Sequence, residues 1–523
     1  MLAEVPDDAL VPAPSLGLPT ILFHLSPDGR DGVGCAAVRA AVIIVVLGSA
    51  TVRGAEFEVT TTTIGQADQL RRLDALAGTP TAEKLDRRRL TQELDLRVFE
   101  ILPPPEADSG DVVPRLQLVT TLRFDRDFGD YRDSELVPEV RNDQLDVLTL
   151  YLEGQDFARG MLDWRVGRQT LSDLLDLYAF DGADIVFHPP IHVAVEGFGG
   201  LMVRERMPLS SPTLELDGTS RSLYWDDERE ALSPMFGGAL MTHGLRAVQA
   251  RASYRRTMSR ADVETTCLFG PCADGVDRIA LSGIDEEKVA LTVRGAIAGA
   301  VHPWAGARYN VLTVRLDRAE AGVRVAPHAD HALTPAWSRH VPDFDGDSIF
   351  NLYALHAYQD ASLTWDVRIA PGLRGHARYL VRRFTNEASS AADGDAPAET
   401  SDLHHGAGAG ARLDGTRGQV RFDGRYEGGY GGLVAGADLA ALRRLAGETL
   451  TLEGRASALR FENDLRAEQL DRATWALSLV ASARWQLASW AAPQLLLEEN
   501  RSEVYPSYLR MLVLLDLGYP GAQ

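Results

Sequence analysis

Over most of its length the chain sets apolar residues against charged ones at every second position. Leu94, Leu96 and Val98 oppose Glu93, Asp95 and Arg97; Leu116, Leu118, Leu122 and Phe124 oppose Arg115, Gln117, Thr121 and Arg123. Further along, Leu162, Trp164 and Val166 oppose Asp163 and Arg165, and Val289, Leu291 and Val293 oppose Thr292 and Arg294. The pattern returns at Leu363, Trp365, Val367 and Ile369 against Thr364, Asp366 and Arg368, at Val420, Phe422 and Tyr426 against Arg421, Asp423 and Arg425, and at Leu450, Leu452 and Ala456 against Glu453 and Arg455. A period of two belongs to a strand, whose side chains point to opposite faces in turn. Segments of about ten residues, apolar on one face and charged on the other, are what a transmembrane β-barrel needs.

A half-buried sheet in a soluble sandwich also alternates. Here, however, Arg, Asp and Glu crowd the polar face, and the strands are too many for a sandwich without several domains. No Pro/Ser-rich linker divides the chain, and no repeat of propeller or solenoid period is present. The expected fold is all-β: one large antiparallel transmembrane β-barrel of about 18 strands, within a range of 16 to 22 and even in number. With the N-terminus on the periplasmic side, residues 127–142, 171–179, 204–234, 388–403 and the loop around Cys267 and Cys272 are expected outside. Strand limits blur between Ala319 and Pro342.

Composition narrows the class. Charged residues make up 24% of the 523, and the mean hydropathy of −0.12 excludes a bundle of membrane helices. The one long apolar run, Ala40 to Ala50, is about 11 residues, where a spanning helix needs roughly 20. Arg39 precedes it and small residues follow, the anatomy of a secretory signal peptide cleaved near Ala50 or Gly54. We therefore expect an unstructured extension over 1–35, upstream of a true start near Val33 or Val38, a signal peptide over 36–55, and the barrel over 56–523. Cys35 precedes the apolar run and so is no lipoprotein cysteine. Cys267 and Cys272 form a lone C-x4-C, which in an exported chain is expected to close a loop-stapling disulfide. A zinc site would need two further ligands, and none stand nearby. A net charge of −21 argues against nucleic acid as partner.

Among the motifs, Asp343, Asp345 and Asp347 fail the EF-hand spacing and read as a solvated acidic turn. His404 and His405, with Asp402, lie in what the pattern makes an external loop, a poor metal cage. No Gly-x-Ser-x-Gly or other nucleophile context accompanies the 12 histidines, so we expect no enzyme and no cofactor. We expect no plugged receptor-type transporter, because alternation begins at Phe57, where such a barrel would carry a plug domain. The last strand, Ser507 to Tyr519, ends on an aromatic, resembling the signal read by the outer-membrane assembly machinery, although Pro520–Gln523 follow. Trp164, Trp365, Trp485, Tyr426 and Tyr519 are candidate girdle residues.

One hairpin carries a family resemblance. Gly167-Arg168-Gln169 on one strand, then Phe180-Asp181-Gly182 on the next, resembles the alginate-export and related porin-like outer-membrane barrels. The resemblance covers these six residues, and the family's Gly-Asp pair after the Gln is absent. It implies an 18-stranded conduit in the outer membrane of a Gram-negative bacterium, passing hydrophilic or anionic solutes or polysaccharide through an Arg-lined lumen. Strand parity places Arg97, Arg115, Arg123, Asp163, Arg165, Arg294, Arg368, Arg421, Arg425, Arg455 and Arg484 on the wet face. They either grip solute anions or pair with neighbouring acids and knit the wall. Arg168 reads as a rim anchor to Asp181, and Arg165 as the better candidate for solute contact. Outer-membrane lipid, the assembly machinery and a periplasmic neighbour are the expected partners. The alternative readings are a sheath that holds a partner protein in its lumen and, ranked behind it, an outer-membrane hydrolase.

Overall fold

The computed structural model describes residues 56–74, 79–102, 112–129, 143–203, 233–263, 279–297, 299–341, 357–385, 403–430, 432–462, 474–502 and 507–520. The expected extension, signal peptide and Cys267–Cys272 pair fall outside them, as do Asp343, Asp345, Asp347 and Asp402.

Among the described residues, twenty-two strands form one sheet, each antiparallel to its neighbours in sequence. They are β1 (Glu56–Asp74), β2 (Thr79–Phe99), β3 (Arg115–Asp127), β4 (Asp143–Asp156), β5 (Leu162–Ser172), β6 (Leu177–Phe187), β7 (Val193–Met202), β8 (Pro234–Thr242), β9 (Val248–Val263), β10 (Ile279–Gly295) and β11 (Val301–Asn310). The second half comprises β12 (Arg315–His328), β13 (His331–His340), β14 (Ala357–Ala370), β15 (Leu373–Thr385), β16 (Leu403–Gly415), β17 (Gly418–Gly429), β18 (Gly432–Leu445), β19 (Leu450–Glu462), β20 (Thr474–Trp485), β21 (Ala491–Ser502) and β22 (Tyr508–Pro520). β22 pairs back onto β1 from Glu58↔Pro520 to Asp68↔Arg510, which closes the sheet into a barrel. Closure leaves no open edge, the condition for strands to cross a bilayer.

The expected count of about 18 is too low, and two physical reasons explain it. Several turns are too short to read as punctuation: Ala329 and Asp330 alone join β12 to β13, and Thr416 and Arg417 alone join β16 to β17. Some strands also lack hydrophobic contrast. In β16 the outward residues are Ala407, Ala409 and Ala411 and the inward ones Gly406, Gly408 and Gly410, so the period of two survives only in size. The blurred stretch after Ala319 is the rest of β12 followed by β13.

The strand ends flanking 203–233, 264–278 and 386–402 share one end of the barrel, together with the short connections 311–314 and 430–431, while those flanking 100–114, 329–330, 371–372 and 416–417 share the other. This matches the up-and-down order expected from sequence. The loop expected over 171–179 is a correction: β5 runs to Ser172 and β6 begins at Leu177, leaving 173–176 as the connection.

In the β5–β6 hairpin the two triplets of the motif lie directly opposite each other, Gly167↔Gly182, Arg168↔Asp181 and Gln169↔Phe180. Gly167 has φ +128°, and a Cβ there would stand 2.2 Å from the Leu150 carbonyl oxygen of β4. Only glycine fits both demands. Gly167→Val is expected to cost on the order of 3 kcal/mol and to deplete the folded, heat-modifiable form on gels. Gly197→Ala, which enters open space, should leave that form intact.

Candidate functional site: the lumen and its inward hairpin

Side-chain contacts identify the inner face of the sheet. Arg251 of β9 pairs with Glu196 of β7 across the intervening β8. The opposite face carries the exposed apolar residues, among them Val166, Leu240, Leu363, Trp365, Phe422, Leu479 and Val513. Trp365, Trp485 and Tyr426 of the expected girdle are exposed on it, while Trp164 is half-buried against Phe157, ring centroids 5.7 Å apart.

By register, all eleven residues expected on the wet face, Arg97 to Arg484, project inward, and most are tied to acids of the same wall. Arg115 meets Asp156 at 2.8 Å, Arg123 meets Asp125 at 2.6 Å, and Arg165 meets the buried Asp184 at 2.6 Å. Arg455 reaches Asp438 at 2.9 Å, Arg484 reaches Asp516 at 3.2 Å, and Arg368 reaches Asp330 at 3.5 Å. Arg421 pairs with Asp423, and Asp163 pairs with His188 at 2.9 Å. Arg97, Arg294 and Arg425 have no carboxylate partner among the described residues.

Two further arginines, missed in the sequence, change the picture. Arg368, Arg374, Arg412 and Arg421 are direct cross-strand neighbours on β14, β15, β16 and β17. Adjacent strands lie about 4.8 Å apart, so four guanidinium groups stand side by side where like charges repel. Arg412 gives its Nε to Asp414 at 2.8 Å and Arg421 gives its Nε to Asp423. Arg374 has no carboxylate partner among the described residues. These four, with Arg324, Asp366 and His376, line a cavity of about 660 Å³ at the short-turn end. Both missed residues sit next to weak signals: Arg374 follows a Pro-Gly turn, and Arg412 follows the Ala/Gly run of β16.

On the opposite wall the β5–β6 connection folds into the lumen. Leu175 is fully buried, and its carbonyl accepts a hydrogen bond from Nη1 of Arg308 on β11 at 3.0 Å. Asp176 lies 3.4 Å from Arg308 and 3.5 Å from Lys288 of β10, and Asp173 lies 3.6 Å from Arg251 of β9. Behind this tip Leu171, Tyr178, Phe180, Phe198 and Met235 form an apolar cluster, capped by the Arg255 guanidinium 4.3 Å from the Tyr178 ring. Phe198 packs over Gly237, where any Cβ would strike its ring. The tip therefore narrows the lumen while its strands remain in the wall.

The motif itself divides between the faces. Gln169 and Phe180 are fully buried inside, whereas Arg168 and Asp181 project outward. Arg168 grips Asp181 with two bonds, 2.6 and 2.5 Å, and gives Nη1 to the Val147 carbonyl at 3.0 Å. The paired histidines require a correction. They belong to strand β16, so His404 points inward, 3.5 Å from Glu427, and His405 points outward to Tyr379 at 2.9 Å. Alternation sends them to opposite faces, and they cannot chelate one ion together.

A closed sheet with an apolar exterior and a charged interior defines a transmembrane β-barrel. No family model and no curated protein matches the chain. Solved structures it resembles include OccAB4 of Acinetobacter baumannii, at 7% identity and a TM-score of 0.42, covering 89% of this chain and 98% of that one. OccK2 (OpdF) of Pseudomonas aeruginosa, in complex with glucuronate, stands at 9% and 0.39, covering 89% and 98%. OpdK of the same organism, with vanillate, stands at 8% and 0.39, covering 90% and 99%. The class is set by this chain's own strand order and faces and does not depend on those likenesses.

Replacing both tip carboxylates, Asp173→Asn with Asp176→Asn, is expected to loosen the hairpin by on the order of 2 kcal/mol. Hydrogen exchange at the Leu175 amide, which donates to Asp173 Oδ1 at 2.8 Å, should accelerate. Unchanged exchange would mean that the apolar cluster alone holds the tip.

Proposed function

We propose that the barrel is a passive channel in the outer membrane of a Gram-negative bacterium, passing hydrophilic solutes and favouring anions. The observation that carries this reading is the inward row Arg368–Arg374–Arg412–Arg421, whose neighbouring acids offset only part of its charge. A wall built only for strength would alternate signs across strands, as Arg165–Asp184 and Arg455–Asp438 do. A contiguous cationic stretch lowers the barrier for an anion that has entered the lumen and offers planar, two-toothed contacts to its oxygens. The inward hairpin limits the size of what passes.

Direction follows the solute gradient, because nothing in this reading supplies energy. The likeness of the β5–β6 motif to alginate-export barrels supports the conduit class, and export of a polysaccharide would use the same arginines. No residue is assigned a catalytic role.

The test is single-channel recording of the purified chain in planar bilayers under a salt gradient. The reversal potential should report anion preference, and Arg374→Gln with Arg412→Gln should shift it towards cations, more strongly at low salt, where charges are less screened. An unshifted potential would sink the assignment of the row, and a silent bilayer would sink the open channel in favour of a sheath.

A further inference from the structure

At the end of the barrel that carries the turns 329–330, 371–372 and 416–417, the outward face between β16 and β19 is hollow. Two neighbouring cross-strand rows explain why: Leu413↔Val420↔Ala441↔Gly454 and, nearer the rim, Gly415↔Gly418↔Arg443↔Leu452. Leu413, Val420 and Leu452 stand out from the wall, 53%, 45% and 38% exposed. Gly415, Gly418, Ala441 and Gly454, set among them, have almost nothing to project. The contrast in size leaves a cavity of about 610 Å³, and Arg417 of the two-residue turn and Arg443 of β18 line its mouth. The Cδ of Arg443 lies 3.4 Å from where a Cβ of Gly418 would stand, so its stem leans over β17 towards the turn that holds Arg417. The Arg444 amide donates to the Arg417 carbonyl at 2.7 Å and fixes that turn against the end of β18.

Neither guanidinium group meets a carboxylate among the described residues. Asp414 is held by Arg412 and Gln419, and Glu453, two residues before the inward Arg455, faces the lumen by strand parity. Towards the middle of the wall the cavity runs into a second one of about 450 Å³, which shares Ala441 and Gly454 with it. The walls of this groove include Leu439, Leu479 and Leu497, and Glu499 on its far side is taken up by Arg501 at 2.9 Å. From Arg443 to Leu439 the chain advances about 14 Å, much of one leaflet's share of an apolar band roughly 25 Å tall. A cationic mouth that opens into an apolar groove matches a molecule with a phosphate at one end and an acyl chain at the other. We propose that Arg417 and Arg443, with the groove floored by Ala441 and Gly454, bind an anionic glycerophospholipid of the leaflet at this end of the barrel. The site rests on the membrane-spanning reading above and lies on the lipid side of the wall, apart from any solute inside.

Native mass spectrometry of the full chain in detergent tests this, with phosphatidylglycerol and phosphatidylcholine of identical acyl chains as probes. The anionic probe should stay bound at collision energies that strip the zwitterionic one. Arg417→Gln with Arg443→Gln should lower its retention about tenfold, while the double lysine variant keeps most of it, which separates lost charge from lost fold. Gly454→Leu enters open space and fills the groove, so it should lower retention with both arginines in place. Equal retention of the two probes, or undiminished retention by either the double Gln or the Gly454→Leu variant, overturns the site. Displacement of the lipid by millimolar inorganic phosphate overturns the lipid as occupant. Flotation with phosphatidylcholine vesicles distinguishes the two levels of failure. A chain that does not float loses the membrane reading and this site with it, and one that floats without preference for the anionic probe loses only this site.

Discussion

Everything in this barrel follows from the pairing of β22 with β1. A strand in hydrocarbon has no water to satisfy its N–H and C=O groups, so each must find another strand, and a sheet with two free edges cannot meet that demand. Eleven Cα-paired positions from Glu58 to Asp68 close the ring. Once the ring is closed, alternation has only two destinations, lipid and lumen, and each side chain's role is set by whether its position is odd or even in its strand. The seam is also stitched from within, by Thr62 to Asp516 at 3.0 Å and Tyr508 to Asp68 at 2.7 Å.

Parity explains why so much was legible in the sequence. A strand such as β14, with Leu363 and Trp365 outward and Thr364 and Asp366 inward, states both its conformation and its orientation in a handful of residues. The number of strands was harder to see, because it depends on turns, and a turn of two residues such as Thr416 and Arg417 leaves little trace. β16 shows the same limit from the other side: Ala against Gly gives a size contrast without a polarity contrast. His404 and His405 were assigned to a loop for that reason, and the strand that separates them was invisible.

The functional face was legible in kind more than in arrangement. Reading single strands puts arginines on the wet side, but which of them become neighbours is decided by register between strands far apart in sequence. Arg374 and Arg421 end up two strands apart through the pairing of β15, β16 and β17, and no local pattern encodes that distance. The inward hairpin is the same kind of fact. Its strands are plain from alternation, yet the bend of 173–176 into the lumen depends on Arg308, Lys288 and Arg251 waiting on strands more than seventy residues later.

That hairpin has a mechanical meaning as well. Through Arg308 and Leu175 it joins the β5–β6 corner of the wall to β11, so it lies across the enclosed arc as a chord lies across a circle. An arc with a tied chord cannot flatten without breaking the tie. Between β12 and β19 the described residues provide no crossing member of that reach; contacts there, such as Arg324 to Asp366 at 3.5 Å and His376 to Asp423 at 3.3 Å, step over a single strand. Any change in the cross-section of this barrel under load would begin on that untied side, which is also the side that carries the arginine row.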